Sequence, residues 1–450
     1  METDIEYGSK RIADLAPPAA MPKNGFGPVK ENERIHAVDV LRGFALLGIL
    51  VMNIYAFAMP FAGYQSPLPC GGDSKLDLGT WYVTHILFDQ KMMSIFSMLF
   101  GAGLVLMARR ADAKDQKFGR FYYRRLLWLL MFGLVHAYLL WVGDILFFYG
   151  ICGMLLFPFR KLSARTLIIT GICLMLVAPP VSTAMGFMFG WMRGEVREAH
   201  RRIEAEEELE PYHRDLMANW DEMRKGMDPP PKEIRRQIKA HQGSYNEIFM
   251  ERLPALIWMQ TILLVFSLGW RITGLMMLGM GLMKAGVFSA GRTRGFYLKL
   301  VALGYCVGFL LVGISAFDLT RTGWDFVHMF KIGMYWNYFG SVFVALGHVG
   351  MVMLVFQSGT LGWLREALSA VGRMAFTNYL MHTLICTTIF YGYAFGQFGR
   401  IDRFALMGIV LAIWILQLAL SPLWLRHFKF GPAEWLWRSL TYRKLQPMRR

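Results

Sequence analysis

The sequence predicts an all-α fold, a polytopic membrane bundle of about ten transmembrane helices with both termini in the cytoplasm. Three observations predict it. Of the 450 residues, 55% are hydrophobic and only 18% are charged, which is too apolar for a water-soluble chain of this length. Uncharged apolar stretches of about 20 residues, the length that crosses a bilayer, recur along most of the chain. The net charge of +16 is concentrated in short segments between these stretches.

The apolar stretches define ten expected spans. In chain order they are 43–60, 84–107, 125–142, 145–159, 166–190, 254–283, 298–316, 336–356, 372–394 and 403–425. The stretch 254–283 allows two interpretations, since it is either one long, tilted helix interrupted by glycines or two short helices divided at Arg271. The distribution of charge decides between them.

Lysine and arginine collect in the short cytoplasmic loops of membrane proteins. With ten spans and the N-terminus inside, the inner segments hold 29 of these residues and the short outer loops hold five. Dividing 254–283 would place the cluster Lys284–Lys299 outside and reverse every later span. The bias therefore favours one long span and both termini inside. The basic charge is therefore explained by the orientation of the spans, with a small contribution from contact with anionic lipid. No separate basic domain is present that would indicate nucleic-acid binding.

The spans divide the chain into five regions. They are a polar cytoplasmic tail (1–33), an N-terminal membrane bundle (34–190), an extracytoplasmic polar helical segment (191–252), a C-terminal membrane bundle (253–442) and a basic cytoplasmic tail (443–450). The first tail contains no apolar core or cleavage site, so we expect no removable signal peptide. The polar segment is interpreted either as amphipathic helices that cap the bundle or as a lid over an external substrate site.

Ionisable groups inside spans are costly, and each is therefore a candidate for function. Asp39 and Arg42 lie three residues apart and share a helix face. They form either an ion pair that anchors the helix at the headgroups or a site where Arg42 presents its planar cation to a phosphate or carboxylate. Asn53 lies eleven residues beyond Arg42, near the same face and close to the middle of the membrane.

His136 and Asp144 flank an outer turn at Val142-Gly143. A carboxylate beside a histidine fixes its tautomer and raises its basicity, which is the usual arrangement for acid/base catalysis. The alternative is a packed, hydrogen-bonded core histidine. At 1.5 Å per residue His136 lies roughly 10 Å below the turn, so the two side chains meet only if the turn dips into the membrane or a water bridges them.

Six further polar residues are candidates for binding a substrate. They are Lys91, Arg271, Arg373, Thr377, Asn378 and His382. Lys91 has the alternative of extending outward to the headgroups, and Thr377 and Asn378 have the alternative of hydrogen bonding between helices. The five cysteines show no metal-ligand spacing and no short catalytic motif is present. We therefore expect no metal and no permanently bound cofactor.

Several stretches resemble one bacterial family. The first is the run from Arg34 to Ile54, RIHAVDVLRGFALLGILVMNI, and others are FSMLFGAG from Phe96, WVGDIL from Trp141, GRMAFTNYL from Gly372 and GPAEWLWR from Gly431. Together they resemble the YeiB-like inner-membrane proteins, a domain-of-unknown-function family, over residues 34–442. That family has been associated with transport.

The Leu-Arg-Gly opening is also similar to that of the transmembrane acyltransferases, which include the lysosomal heparan glucosaminide acetyltransferase. Those enzymes move an acyl group from cytoplasmic acyl-CoA to a sugar on the far side of the membrane. By this resemblance Arg42 and Asn53 match a motif in which Asn follows Leu-Arg-Gly by ten residues. The sugar acetyltransferases have a catalytic histidine just after that Asn. Here 54–83 contains no histidine, which leaves His136 as the substitute.

Two functional hypotheses follow. In the first, the chain is an inner-membrane acyltransferase with acyl-CoA as donor substrate. Arg42 would bind the CoA phosphates, His136 positioned by Asp144 would act as general base for an extracytoplasmic hydroxyl or amine, and Asn53 would donate to the thioester oxygen. In the second, the same polar groups form the midplane site of a transporter for a small organic solute. A scaffold or sensor is a third hypothesis, and the oligomeric state stays open.

Overall fold

The computed structural model describes residues 34–70, 74–113 and 118–450, and the described chain is helical with no β-strand. A single isolated bridge joins Phe428 and Arg449 near the C-terminus. The expected all-α class is confirmed. The tail 1–33 and two short stretches, 71–73 and 114–117, lie outside the described residues.

We number the helices in chain order. They are α1 His36–Ala58, α2 Phe61–Gln65, α3 Lys75–Leu87, α4 Lys91–Asp112, α5 Gly119–Val135, α6 Leu146–Leu156, α7 Ala164–Met175, α8 Ala178–Glu204, α9 Pro211–Met227, α10 Pro231–His241, α11 Tyr245–Trp258, α12 Gly269–Lys284, α13 Arg294–Arg321, α14 Phe326–His328, α15 Met334–Ser358, α16 Gly362–Arg373, α17 Ala375–Phe390, α18 Arg403–His427 and α19 Pro432–Tyr442. Three π-helical segments, His136–Leu140, Met259–Leu268 and Met329–Gly333, and a 3₁₀ segment, Phe157–Lys161, adjoin them.

Local sequence fixes where many of these helices begin. The hydroxyls of Ser74, Ser163, Ser244 and Thr293 each accept a hydrogen bond from the backbone amide three residues later. Such caps satisfy amides that have no partner within the helix. The helices α9, α10 and α19 instead begin with proline in the first turn, where the missing N–H costs nothing.

Seven helical segments of the described chain are long and apolar enough to cross a membrane, which makes this a membrane protein. They coincide with seven of the ten expected spans. The other three, 125–142, 145–159 and 372–394, coincide with α5, α6 and α17, which have 17, 11 and 16 residues. Helices α6 and α17 are shorter than a full crossing of about 20 residues, and α5 reaches that length only together with the π-helical segment His136–Leu140. The count of ten therefore stays a prediction.

The stretch 254–283 belongs to one unbroken helical segment, Tyr245–Lys284, of 40 residues. The segment includes α11, the π-helical stretch Met259–Leu268 and α12. At 1.5 Å per residue a segment of this length extends roughly 60 Å, about twice the apolar thickness of a bilayer. The chain is therefore not divided at Arg271, and α11 extends into the polar segment.

Helix α1 lies at the centre of the bundle, since 72% of its apolar window is buried, against 28% for α13 and α18. It crosses α16 at two glycines, Gly43 and Gly372. A side chain on Gly43 would collide with the backbone of Leu368, and one on Gly372 with the backbone of Asp39. Close backbone approach at small residues is the usual packing of membrane helices, and here it brings α16 against the first turns of α1.

The two ends of the bundle differ in character. At one end, which we call the arginine end, α1 begins and α19 packs beside it. The opposite end is covered by the polar segment, where Trp220 of α9 packs on Phe326 and Arg236 of α10 bridges Glu233 and Glu251. The hydrogen bonds from Arg236 lower the pKa of Glu233.

Candidate functional site

The arginine end contains a cavity of about 320 Å³ enclosed by α1, α4, α5, α6, α16, α17 and α19. Its lining is unusually basic. The six arginines that line it are Arg34, Arg42, Arg110, Arg125, Arg373 and Arg438, and the two carboxylates are Asp39 and Glu434. The formal charge around the cavity is therefore strongly positive. Arginine suits the binding of phosphate and carboxylate groups, because its planar fork donates in a bidentate manner.

Asp39 and Arg42 meet as the sequence predicts. Arg42 donates to Asp39 Oδ1 at 2.8 Å and to the carbonyl of Gly372 at 3.4 Å, and Arg34 approaches the other oxygen of Asp39 at 4.0 Å. The Arg42 side chain keeps 29% of its surface exposed. The ion pair thus orients Arg42 and leaves it accessible from the cavity, so the two interpretations of this pair are compatible.

Helix α19 contributes two elements of the cavity wall. Arg125 lies 3.6 Å above the ring of Trp437, whose indole N–H donates to the Arg125 carbonyl at 2.9 Å. Arg438 lies 4.5 Å above the ring of Phe430. Stacking uses the flat face of a guanidinium. Each contact holds a guanidinium at the cavity, which both arginines line.

Glu434 is the second carboxylate at the cavity, and hydrogen bonds hold it at the start of α17. Its Oε1 accepts from the backbone amides of Phe376 at 2.6 Å and Thr377 at 3.1 Å, and its Oε2 accepts from the Thr377 hydroxyl at 2.5 Å. The carboxylate thus caps the N-terminus of α17, where the helix dipole favours an anion. Thr377 is engaged in joining α17 to α19, which fits its interpretation as a residue that links helices.

The interior of the cavity is apolar. Beyond the arginines most of its wall is apolar, with leucine, isoleucine, valine, methionine and aromatic side chains. The lining residues nearest to Asp144 and His382 along the chain, which we call the inner limit of the cavity, are Ile145, Leu146, Tyr149 and Tyr379. A charged entrance with an apolar interior is suited to an anionic molecule that has an apolar arm. The inner limit of the cavity lies directly beside Asp144 in the chain.

His136 and Asp144 are in direct contact. His136 Nδ1 lies 2.8 Å from Asp144 Oδ1, and His136 Nε2 lies 2.9 Å from the hydroxyl of Thr383. All three side chains are buried. The ring of Tyr379, one helical turn before Thr383, lies 5.2 Å from the imidazole, so this group of side chains adjoins the inner limit of the cavity.

The conformation of the backbone around the turn explains this contact. The depth of roughly 10 Å expected for His136 below the turn did not predict it. Helix α5 ends in the π-helical turn His136–Leu140, and Trp141 then adopts an extended conformation. The chain reverses at once, and Asp144 caps α6 through a 2.7 Å hydrogen bond from the Phe147 amide. The carboxylate is therefore directed back along α5, toward His136.

The polar segment holds this turn in place. Arg252 of α11 donates to the carbonyls of Leu140 at 2.6 Å and Tyr138 at 2.7 Å, and the hydroxyl of Tyr245 donates to the carbonyl of Leu139 at 2.9 Å. These carbonyls lie in the last turn of the helix, where no backbone amide of the helix follows to donate to them. The segment thus fixes the helix end that contains His136.

Comparison with known proteins places the chain in a family. It is 31% identical to the uncharacterized protein YxaH of Bacillus subtilis over 440 residues, covering 94% of this chain and 97% of that protein. It is 30% identical to the uncharacterized protein YeiB of Escherichia coli over 421 residues, covering 92% and 98%. The chain belongs to the YeiB-like family. Residues 282–444 match a family model described as a protein of unknown function, DUF418, and no solved structure matches significantly.

Within this YeiB-like chain, two predicted residues lie in a second polar network. Lys91 is fully buried and donates to the His85 carbonyl at 2.6 Å and to Asn337 at 2.7 Å, which in turn donates to Asp89 at 2.6 Å. This burial excludes the alternative that Lys91 extends to the headgroups. Arg271 donates to Ser341 at 2.7 Å and to a backbone carbonyl on α15. Neither side chain lines the arginine-rich cavity.

Asn378 and His382 belong to a third group, between α17 and α18. His382 Nε2 lies 2.9 Å from Gln417, whose amide donates to the Asn378 carbonyl, and Asn378 donates to Ser421 at 3.1 Å. These bonds join two helices, as the interhelical interpretation of Asn378 predicts. Asn53 is half-buried and makes no side-chain hydrogen bond with any residue that the structure describes.

Four residues of the site were not predicted from the sequence, namely Thr383, Glu434, Arg125 and Arg438. Thr383 follows His382 directly, but nothing in the local pattern indicates which side chain it contacts. Glu434 and Arg438 do lie in the GPAEWLWR stretch, and a carboxylate and an arginine in an amphipathic helix just after the last span were an available signal. In the described part of the chain no group of three histidine, cysteine or acidic side chains is arranged to hold a metal ion.

Proposed function

We propose that this protein is an integral membrane acyltransferase that moves an acyl group from cytoplasmic acyl-CoA to an extracytoplasmic hydroxyl or amine. One observation supports it above the others: a single cavity leads from six arginines to Tyr379, beside the His136–Asp144 pair. The acceptor class we propose is a sugar or another envelope molecule. The protein would lie in the bacterial inner membrane.

The arginines would bind the phosphates of CoA. The 29-to-5 distribution of Lys and Arg favours the arginine end as the cytoplasmic one, where acyl-CoA is found. Charge-assisted bonds from Arg42, Arg125 and Arg438 would hold the nucleotide part, and the apolar interior would receive the pantetheine arm with its acyl group. CoA would thus enter as a substrate that dissociates after each turnover.

His136 would move the proton. Asp144 holds the imidazole through Nδ1, which leaves Nε2 to accept a proton from a nucleophile. Asn53 would donate to the thioester oxygen as negative charge develops on it. The acceptor would approach from the polar-segment end, where removal of water strengthens these interactions.

Two measurements on the purified protein test this function. We expect acetyl-CoA to raise its melting temperature where a panel of small organic solutes does not, and Arg438→Gln to weaken that binding by about 10- to 100-fold, the loss of one charge-assisted bond. The control is Arg426→Gln, an exposed arginine at the same end. In proteoliposomes His136→Ala should abolish acyl transfer and leave CoA binding intact, while His200→Ala, at an exposed site, should not. Full transfer by His136→Ala would refute the assignment.

The second candidate function is a transporter, which the network around Lys91 favours. Lys91, Arg271 and Asp89 are charged groups inside the helical bundle, as in the midplane sites of carriers. If a solute stabilises the protein and Lys91→Met abolishes its uptake while acetyl-CoA has no effect, the transporter is the better description.

A further inference from the structure

The Thr383 hydroxyl, like that of Thr377, forms its hydrogen bond with another helix rather than with its own. The threonines at 80, 84, 261, 320, 388 and 441 each donate to the carbonyl four residues earlier, the normal arrangement for a helical hydroxyl. The Thr383 hydroxyl is instead directed across the bundle to His136 Nε2, 2.9 Å away. The two residues are 247 positions apart in the chain.

The direction of this bond follows from the partners of Asp144. Its Oδ1 faces His136 Nδ1 at 2.8 Å, and its Oδ2 accepts from the Phe147 amide at 2.7 Å. A carboxylate only accepts, so His136 must bear its proton on Nδ1. In the neutral imidazole Nε2 is then an acceptor, and the hydrogen in the bond to Thr383 belongs to the hydroxyl.

Hydroxyl, imidazole and carboxylate are thus connected in the order that activates a nucleophile. The base contacts the hydroxyl through one ring nitrogen, and the carboxylate orients the base through the other. Thr383 is fully buried, and His136 and Asp144 are nearly so. In this conformation the hydroxyl that His136 can deprotonate belongs to Thr383 rather than to an external acceptor.

Thr383 also lies within reach of the donor site. Tyr379 precedes it by four residues on α17 and forms part of the inner limit of the cavity, so the two side chains project from the same face of the helix. An acyl-CoA whose phosphates are held by the arginines would present its thioester at this limit. Thr383 lies one turn, roughly 5 Å, beyond it.

We infer that Thr383 is acylated during the reaction, which rests on the proposed acyltransferase function. Thr383 Oγ attacks the thioester carbon, the new C–O bond forms, and the C–S bond breaks. The hydroxyl proton passes to His136 and then to the leaving thiolate, so CoA departs as a free thiol. In the second half the acceptor hydroxyl or amine attacks the Thr383 ester, and its proton passes through His136 to Thr383 Oγ. Threonine is restored without an oxidant, a reductant or a further reactant.

A covalent step suits a site between two aqueous phases. The acyl group resides on a buried side chain, so CoA and the acceptor need not occupy a continuous path at the same time. Trp141, whose ring lies 6.3 Å from that of His136, stacks on Phe57 at 3.9 Å. Each substrate would thus be bound and released at its own end of the bundle.

The test is isotope exchange on the full chain in proteoliposomes. An acylated intermediate allows labelled CoA to exchange into acetyl-CoA when no acceptor is present, and it leaves one acetyl group on the peptide that contains Thr383. We expect exchange by the wild type and by Thr383→Ser, which retains a hydroxyl. Thr383→Val keeps the shape and should lose exchange by at least about 10³-fold, with acetyl-CoA binding retained. Thr387→Val, one turn along α17 and also buried, should exchange normally.

The outcomes separate this inference from the function on which it rests. If the wild type binds acetyl-CoA and acylates an acceptor but shows no exchange without one, transfer is direct and the role of Thr383 is wrong, although the function stands. Exchange by Thr383→Val at the wild-type rate overturns it equally. If the wild type neither binds acetyl-CoA nor transfers from it, the proposed function itself fails. Loss of exchange in both Thr383→Ser and Thr387→Val would indicate a packing defect in α17 and would also overturn the inference.

Discussion

Replacing Asp144 by asparagine changes one atom and reverses the hydrogen bonding of His136. Asp144 presents two acceptors, one to His136 Nδ1 at 2.8 Å and one to the Phe147 amide at 2.7 Å. Asparagine has a single acceptor oxygen. The Phe147 amide can only donate, so it takes that oxygen, and the new NH₂ group then faces His136. Nδ1 must become the acceptor, and the ring proton moves to Nε2.

With its proton on Nε2, His136 can no longer accept a proton from Thr383 or from an acceptor. Loss of the correct tautomer in a hydroxyl–imidazole–carboxylate site costs about 10⁴-fold in turnover, equivalent to about 5.5 kcal/mol of transition-state stabilisation. The fold should change little, because the side-chain volume is nearly constant and the cap on α6 is kept. We expect a loss of stability of about 1 kcal/mol.

The assay compares acyl transfer, acetyl-CoA binding and thermal melting of Asp144→Asn with those of the wild type. A matched control is Asp318→Asn, because Asp318 also contacts a histidine, His328, at 2.8 Å, but at a partly exposed site. We expect transfer to fall only in Asp144→Asn and acetyl-CoA binding to persist in both. Transfer within tenfold of the wild type in Asp144→Asn would refute the assignment of His136 as the base.

Three further predictions concern the surroundings of the site. Arg252→Met removes two charge-assisted bonds to the end of the His136 turn and should destabilise the protein by about 2–4 kcal/mol, measured by thermal melting. Gly372→Val places a side chain against the backbone of α1 and should cost about 1–3 kcal/mol and weaken acetyl-CoA binding through displacement of Arg42. Because the folded-state pKa of Glu233 is lowered by Arg236, the stabilisation from this pair is present at neutral pH. It should be lost as the pH falls through that lowered pKa, seen as a lower protection factor in α10, the intrinsic amide exchange rate at each pH divided by the measured rate.

Each of these has a control and a result that would contradict it. Lys239→Met changes an exposed position of α10 and should leave the melting temperature unchanged. If Arg252→Met also left it unchanged, the bonds from Arg252 to the His136 turn would not stabilise the protein. The control for Gly372→Val is Gly408→Ala, whose side chain meets open space and should leave the melting temperature unchanged. If Gly372→Val also left it unchanged, α1 and α16 would cross less closely than described. Glu233→Gln should abolish the fall in the protection factor of α10 at low pH, and an unchanged fall would assign it to other groups.

The membrane class and much of the helix pattern were predictable because they depend on local composition. A stretch of about 20 apolar residues has few alternatives to a spanning helix, since the bilayer cannot satisfy an exposed backbone. Seven expected spans coincide with long helices. Two glycines of these helices allow a close backbone approach, since Gly101 lies against the backbone of Met276 and Gly279 against that of Met98.

The candidate site was predictable only in part. Polar residues are rare in apolar stretches, and this rarity indicated His136, Asp144 and Arg42 as candidate site residues. Burial of such groups costs free energy, so they are seldom present without a function. The same criterion also selected Lys91 and Arg271, which form a separate network. Depth along a helix could not show that the π-helical turn after Val135 and the cap on α6 bring Asp144 onto His136.

The sequence by itself determined that this protein folds in a lipid bilayer, where its helices approximately lie and which end of each helix is basic. These properties depend on residues that are close together in the chain. Only the tertiary structure decided that six arginines from separate parts of the chain surround one cavity, and that Thr383 is the partner of His136. The physical reason is that such contacts depend on how helices far apart in sequence cross and rotate against one another. Close packing at small residues, such as Gly43 against α16, sets those crossings, and no local period of the sequence specifies them.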